Sequence, residues 1–231
     1  MITLLVDPAA LAAPRLTVRG AAYRHLFRAR RAAAGERVRA VDGRGAARWG
    51  EIVAVGRDEG TIALGAEAPP NEPARRLDLF VAAPRAERAA WLVEKATEVG
   101  VAAIHFVACE RAPRALGPAA IARLERVAGA ALEQCHRARL PEISGPLAWR
   151  ELPVRLTPLA VRHVLDPAAA SGQQAPSVEP AALLVGPEGG FTESELTELR
   201  AWGCVPLGLG PRTLRIETAA VVGAALLLLA S

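Results

Sequence analysis

The stretch "GPEGGFTESEL", residues 186–196, places three glycines and a proline in its first five positions and then runs into hydroxyl and carboxylate side chains. Upstream, "AALLVG" (181–186) is a short apolar run that reads as a buried strand. Downstream, "TESELTELRAWG" (192–203) reads as a helix with both ends legible. Thr192 and Glu195 form a T-x-x-E capping box, and Gly203 stands where a left-handed C-terminal residue belongs. The cap accounts for Thr192 and Glu195. It does not account for Gly186, Gly189 and Gly190. Glycine there permits positive φ and lets a ligand approach bare backbone at the C-terminal edge of a strand, where open α/β sheets bind ligands.

This loop is not a P-loop, because no Gly-Lys-Ser/Thr closes it. It also lacks G-x-G-x-x-G spacing and an acidic residue about 20 positions on. A second glycine turn, "LGLGPR" (207–212), follows the next strand-like run, and "TLRIETAA" (213–220) leads into the last helix. Two such turns at the ends of neighbouring strands make either a pocket that reads a nucleotide-like cofactor by main-chain hydrogen bonds or a pair of plain tight turns.

Working outward, "AEAPPNEPARR" (66–76) carries Pro69, Pro70 and Pro73, which disfavour helix and mark a boundary. Before it, "ERVRAVDG" (36–43), "RWGEIVAVG" (48–56) and "GTIALGAE" (60–67) read as the short strands of a small barrel. After it, strand-like "LDLFVAAP" (77–84), "AAIHFVAC" (102–109), "LAVRHVLDP" (159–167) and "AALLVGP" (181–187) alternate with helical segments. The clearest of these are "RAERAAWLVEKATEVG" (85–100) and "GPAAIARLERVAGAALEQC" (117–135). Alternation of this kind predicts a parallel α/β sheet. Residues 166–182 read as a mobile surface loop, and no internal repeat is present.

The 231 residues are 52% hydrophobic and 23% charged, a globular balance, and Lys95 is the sole lysine. The net charge of +4 lies wholly in residues 1–70, which hold eleven arginines against seven acids, while the remainder holds seventeen of each sign. That asymmetry points to an anionic partner for the first third, or to an arginine-rich solvated surface. Cys109, Cys135 and Cys204 form no Cys-x-x-Cys, and neighbouring Cys135 and His136 cannot easily share a metal, so reduced thiols and no metal are expected. The start "MITLLVDPAA" has no basic region before its apolar run, and the apolar "TAAVVGAALLLLA" (218–230) is too short to span a bilayer. The expectation is a cytoplasmic protein with no membrane segment.

At its two glycine loops the sequence resembles the SPOUT class of RNA methyltransferases, and within it the RsmE family, which methylates N3 of a uridine in small-subunit (16S) ribosomal RNA. "LLVGPEGGFTESEL" (183–196) and "LGLGPRTLRIETAA" (207–220) are similar to the family's two cofactor loops almost throughout. "VDGRG" (41–45), "VEKATEVGV" (93–101), "ERA" (110–112) and "EQCHRARLPEI" (133–143) match its other recurrent stretches in order, so the resemblance covers nearly the whole chain. It implies an α/β fold: a small N-terminal PUA-like β-barrel (1–70) for RNA, then a SPOUT domain (74–231) with a C-terminal trefoil knot holding S-adenosylmethionine. It also implies a homodimer. The knot rests on the resemblance alone, since chains as a rule do not knot. An arginine common near the family's N-terminus is missing from "MITLLVDP", with Arg15 a distant replacement.

The resemblance implies that the cofactor is bound by Leu165, Gly186, Pro187, Glu188, Gly189, Gly190, Leu207, Leu209, Gly210, Leu214 and Thr218. Arg215 would hold the uracil or a phosphate and stabilise charge developing on the base, or else be a surface arginine at a helix start. Glu217 would orient Arg215 or accept the N3 proton, or else stabilise the first helical turn. Arg85, Arg88, Lys95 and Arg111 match family positions and contact phosphate, unless they serve in salt bridges with Glu94, Glu98 and Glu110. Arg137 and Arg139 support the fold or the dimer. Arg24, Arg28, Arg30 and Arg31 are the densest basic cluster of the first domain, with His25 beside them as a contact or core residue. The implied partner is 16S ribosomal RNA or the small ribosomal subunit. A SPOUT enzyme acting on transfer RNA, or an inactive RNA-binding module, are the alternatives.

Overall fold

A computed structural model of the chain describes residues 1–112, 116–169 and 177–229. It separates into two compact units: residues 1–72 with 132–140, and residues 73–131 with 141–231.

The first unit is built on strands β1 (Ile2–Leu5), β2 (Arg15–Arg19), β3 (Arg37–Val41), β4 (Ala47–Val55) and β5 (Glu59–Glu67). Helix α1 (Pro8–Ala12) precedes β2, and α2 (Gly20–Tyr23) follows it and runs into a π-helical turn, Arg24–Ala29. The sheet order is β1-β3-β4-β5-β2, with β1 parallel to β3 and the other pairs antiparallel. The three strands legible before the boundary are β3 to β5; β1 and β2 complete the sheet from stretches of four and five residues, too short to stand out. Period-two burial on β2 sends Leu16 and Val18 inward to Leu26, Val38, Ile52 and Ile62. At Gly60 a Cβ would lie 2.3 Å from the Phe27 ring, so any other residue there would force that buried ring to move.

Residues 132–140 are part of this unit through both apolar and polar contacts. Leu132 and Ala138 are buried with Val41, Ala47 and Ala68. Glu133 Oε1 accepts from Leu5 N at 2.8 Å. Arg137, 3% exposed, pairs with Glu72 at 2.7 Å, and the other Glu72 oxygen accepts from Ala138 N and Arg139 N at 2.9 Å each. Arg39, 2% exposed, donates to the carbonyls of His136 and Pro69. Arg137 therefore supports the fold, as one of its two expected roles.

The second unit holds six strands: β6 (Leu77–Ala82), β7 (Ala103–Ala108), β8 (Glu142–Ala148), β9 (Val161–Leu165), β10 (Ala181–Val185) and β11 (Val205–Leu207). Every pairing is parallel, in the order β11-β9-β10-β6-β7-β8. All residues of β6 and β10 are buried, because helices cover both faces of a parallel sheet; β10 is apolar throughout, and the one charge of β6, Asp78, is paired with Arg76 at 2.9 Å. Those helices are α3 (Ala86–Val99), α4 (Pro118–Cys135), α5 (Leu152–Leu156), α6 (Glu193–Ala201) and α7 (Ile216–Leu229). The strand that sequence missed is β8, whose "EISGPLA" contains a glycine and a proline; it lies at the sheet edge, where proline is tolerated. Part of the predicted 166–182 loop, residues 170–176, lies outside the described residues, and its last two positions belong to β10. Helix α7 packs on α3, β6 and β10. Gly223 permits that approach, since a Cβ there would stand 2.9 Å from Leu183. Among the described residues no helix is long and apolar enough to cross a membrane.

Candidate cofactor and acceptor site

The parallel register sets the ends of three strands side by side: Leu184 is opposite Val164, and Leu207 is opposite Leu165. The loop leaving β10 is short and heavily constrained. Gly190 N donates to Pro187 O at 2.8 Å, and Gly190 takes φ +71°. Gly186 and Gly189 do not share that conformation, contrary to the expectation that all three serve positive φ. Gly186 is needed because a Cβ would press on the Phe191 ring at 3.0 Å. At Gly189 a Cβ would make only ordinary contact with Arg111, and its carbonyl accepts from Arg111 Nη1 at 2.7 Å. The capping box forms as the sequence predicts: Thr192 N donates to Glu195 Oε2 at 2.8 Å, and Glu195 N to Thr192 Oγ1 at 3.2 Å. Glu195 Oε1 also accepts from Glu110 N at 2.8 Å, which ties the loop after β7 to the start of α6.

Two cavities open at these strand ends. The larger, about 240 Å³, is lined by Gly186, Pro187, Glu188, Gly190, Phe191 and Ile216, among others. The smaller, about 70 Å³, is lined by Leu207, Leu209, Gly210 and Arg212. Leu165, Asp166, Pro167, Thr213, Leu214 and Ala219 line both. Of the expected cofactor residues, all but Gly189 and Thr218 face one of these two spaces. Asp166, Phe191, Thr213 and Ile216 were not foreseen; Asp166 was detectable, since it directly follows Leu165 at a strand end. The larger cavity carries the Asp166 carboxylate and that of Glu188, which is paired with Arg88, so it suits a ligand bearing positive charge better than a polyphosphate.

The start of α7 divides this region from a third cavity of about 360 Å³, lined by Glu87, Arg88, Trp91, Arg215, Glu217 and Thr218. Ile216 and Ala219 turn to the first space, while Arg215, Glu217 and Thr218 turn to this one. Arg88 stands between two carboxylates, 3.6 Å from Glu188 and 3.7 Å from Glu217. Glu217 is only 7% exposed, and its buried Oε2 has no hydrogen-bond partner among the described residues. Arg215 is exposed, and its side chain makes no hydrogen bond or ion pair among the described residues.

The remaining basic candidates differ in availability. Lys95 is held by Glu94 and Glu98 at 2.8 Å each, which raises its pKa through those hydrogen bonds, and Arg111 is spent on Gly189. Arg85 is exposed at the N-terminal cap of α3. In the first unit Arg24, Arg28, Arg30 and Arg31 are all exposed on and just after the π-helical turn, whose Leu26 and Phe27 face the core. Arg28 donates to Arg57 O at 2.8 Å and lies 5.6 Å from the Tyr23 ring centroid. His25 is exposed, so it is not a core residue. Arg15 is exposed at the start of edge strand β2. Burial pushes the Cys109 thiol up to about 12 and Cys204 up to about 11, which keeps both protonated and unreactive.

An RNA methyltransferase domain model matches residues 70–228, and an RNA methyltransferase PUA domain model matches residues 18–64. The ribosomal RNA small subunit methyltransferase E of Mycobacterium bovis is 34% identical over 173 residues, which are 67% of this chain and 62% of that relative. The chain thus spans less than two thirds of the length of that relative. Among solved structures, the probable rRNA-methyltransferase from Porphyromonas gingivalis is 27% identical with a TM-score of 0.81, over 97% of this chain and 95% of that one. A putative methyltransferase from Legionella pneumophila, solved in complex with the bound cofactor SAM, is 26% identical with a TM-score of 0.80, over 99% and 96%.

Proposed function

The chain belongs to the RNA methyltransferase family, and on that premise we propose that it methylates N3 of a uridine in 16S ribosomal RNA, using S-adenosylmethionine, as an RsmE-type enzyme. The observation that carries this reading is the carboxylate-bearing cavity between two glycine loops at the C-terminal ends of β9, β10 and β11. S-adenosylmethionine fits its chemistry. Asp166 and Glu188 suit the ligand's cationic groups, and the backbone at Gly186, Pro187, Gly190, Leu209 and Leu214 offers amides and carbonyls to an adenine edge. When bound, the cofactor supplies an activated methyl group on a sulfonium.

The chain's own task is to hold the uridine and manage its charge. Arg215 carries a full positive charge at the mouth of the third cavity and stabilises the ring as it becomes anionic. Glu217 takes the N3 proton, and its bond pair stays on the ring nitrogen as the nucleophile. The residue 1–70 barrel supplies the RNA grip through Arg24, Arg28, Arg30 and Arg31, and residues 74–231 form the methyltransferase domain, where Arg85 and Arg88 add positive charge beside the acceptor. The trefoil knot is part of this reading. After β10 the chain crosses to the far side of β9 as β11, then returns as α7 against β10 and β6, a path that favours threading. A homodimer in the cytoplasm is part of it too. Past its first turn helix α7 is apolar all round, yet Val222 is 44% exposed, a pattern that asks for a covering surface.

Labelled methyl incorporation tests the reading. The purified protein should label small-subunit ribosomal RNA and leave transfer RNA unlabelled. Arg215→Ala should keep S-adenosylmethionine affinity by calorimetry and lose roughly 10²–10³ in single-turnover rate. Labelling of transfer RNA alone would refute the substrate assignment.

A further inference from the structure

The third cavity holds features that the cofactor reading leaves unused. Its volume is about 360 Å³, and its lining brings together the Trp91 indole, the guanidinium groups of Arg88 and Arg215, the buried Glu217 carboxylate and the carboxylate of Glu87. Trp91 is 43% exposed on α3, an unusual placement for the largest aromatic side chain unless something covers it. Glu217 Oε2 is sealed from solvent with no donor among the described residues, a state that costs free energy until an N–H reaches it. The terminal carboxylate torsion is broad, so a modest tilt, with Oε1 still beside Arg88, lets an entering N–H reach the carboxylate. Arg88 holds the other oxygen at 3.7 Å and at the same time touches the first cofactor loop through Glu188 at 3.6 Å.

We infer that this cavity is the acceptor-base subsite, in which Trp91 stacks the target ring and Arg88 positions the Glu217 carboxylate for the ring's imide N–H. The inference rests on the proposed methyl transfer to a uridine. A flat ring matches the indole, a single acidic N–H matches the orphaned oxygen, and an exposed guanidinium at Arg215 matches the charge the ring acquires when that proton leaves. A cytosine ring can still donate its exocyclic amino N–H to the Glu217 carboxylate, but it carries no N3 proton for that carboxylate to remove. Because Arg88 also contacts Glu188, the acceptor carboxylate and the cofactor loop share one guanidinium, and a bound cofactor can register in the acceptor site.

Two measurements test this on the full-length protein. In the first, 16S ribosomal RNA carrying 4-thiouridine in place of uridine is photo-crosslinked to the wild-type protein, and the attached peptide is identified. Attachment within residues 86–99 or 213–219 is expected; attachment confined to other segments would overturn the subsite. In the second, kinetics are read alongside cofactor calorimetry. Trp91→Ala should raise the apparent KM for RNA roughly tenfold or more, the scale of losing one base–aromatic stack, with S-adenosylmethionine affinity unchanged. Trp91→Tyr should restore most of it. Arg88→Ala should lower kcat with KM little changed, and Arg88→Lys should recover part of the rate, a rescue that a residue needed only for folding would not give. Unchanged RNA kinetics in a folded Trp91→Ala variant would overturn the inference while leaving the methyltransferase reading intact. A wild-type protein that methylates no RNA would overturn both.

Discussion

Glu195 is 5% exposed, and its two oxygens hold the backbone amides of Thr192 and Glu110. A buried carboxylate survives here because both oxygens are bonded and the start of α6 favours negative charge. Glu195→Ala would strip partners from both amides, so a loss of about 2–4 kcal/mol is expected in thermal or denaturant unfolding. A loss of less than about 0.5 kcal/mol, the scale of an ordinary surface substitution, would show that the link to the loop after β7 carries no weight. Half of this arrangement was legible, since T-x-x-E announces a capping box. The bond to Glu110 was not, because it joins residues 85 apart. Gly190 shows a similar split. Its place in a glycine loop before a helix was readable, but its φ of +71° makes any β-branched replacement a backbone defect. Gly190→Val would therefore damage the loop before it tested the ligand.

His163 on β9 belongs to the scale of the sheet. It is 8% exposed, and neither ring nitrogen makes a hydrogen bond of good geometry among the described residues, the Val205 backbone being a weak partner. Burial holds its pKa below the ordinary value, with the Arg75 guanidinium adding to the shift and the Val205 backbone opposing it. Burial also depresses His105, on β7, and His136. The unfolded chain then binds protons that the folded one refuses. Stability is fully present above about pH 6.5, the unfolded histidine value, and is lost as pH falls from there toward the depressed folded values. Thermal melts should show a falling Tm between pH 7 and pH 5, and His163→Leu should flatten part of that decline without lowering Tm at pH 7. A steeper decline in the variant would mean that the ring has a stabilising role. Apolar runs made β6, β7, β9 and β10 readable from sequence, as periodicity did α3 and α4. Edge strand β8 was not readable, because Gly145 and Pro146 mask its pattern. The placement of residues 132–140 was hidden too, since contacts of Leu132, Arg137 and Ala138 with the first unit have no local signature.

At the scale of the whole molecule, charge and catalysis are assigned to different parts of the chain. The excess positive charge lies in residues 1–70, and the exposed cluster Arg24, Arg28, Arg30 and Arg31 is its densest part. Replacing Arg28, Arg30 and Arg31 together by alanine should weaken RNA binding and lower the slope of log affinity against log salt by about 2–3, each lost phosphate contact accounting for about 0.7–0.9. An unchanged slope would place the phosphate contacts elsewhere. Composition made this asymmetry visible, and the glycine loops made the proposed cofactor region visible. The third cavity was only half visible: Arg88, Arg215 and Glu217 were singled out, but their convergence with Trp91 depends on α3 and α7 packing side by side. The central claim is methyl transfer to N3 of a uridine in small-subunit RNA, and nucleoside mass mapping tests it most directly. 16S ribosomal RNA from cells with the gene, without it, and with the gene restored should show one 3-methyluridine that vanishes and returns. The same 3-methyluridine content in all three, or a change confined to transfer RNA, would contradict the account.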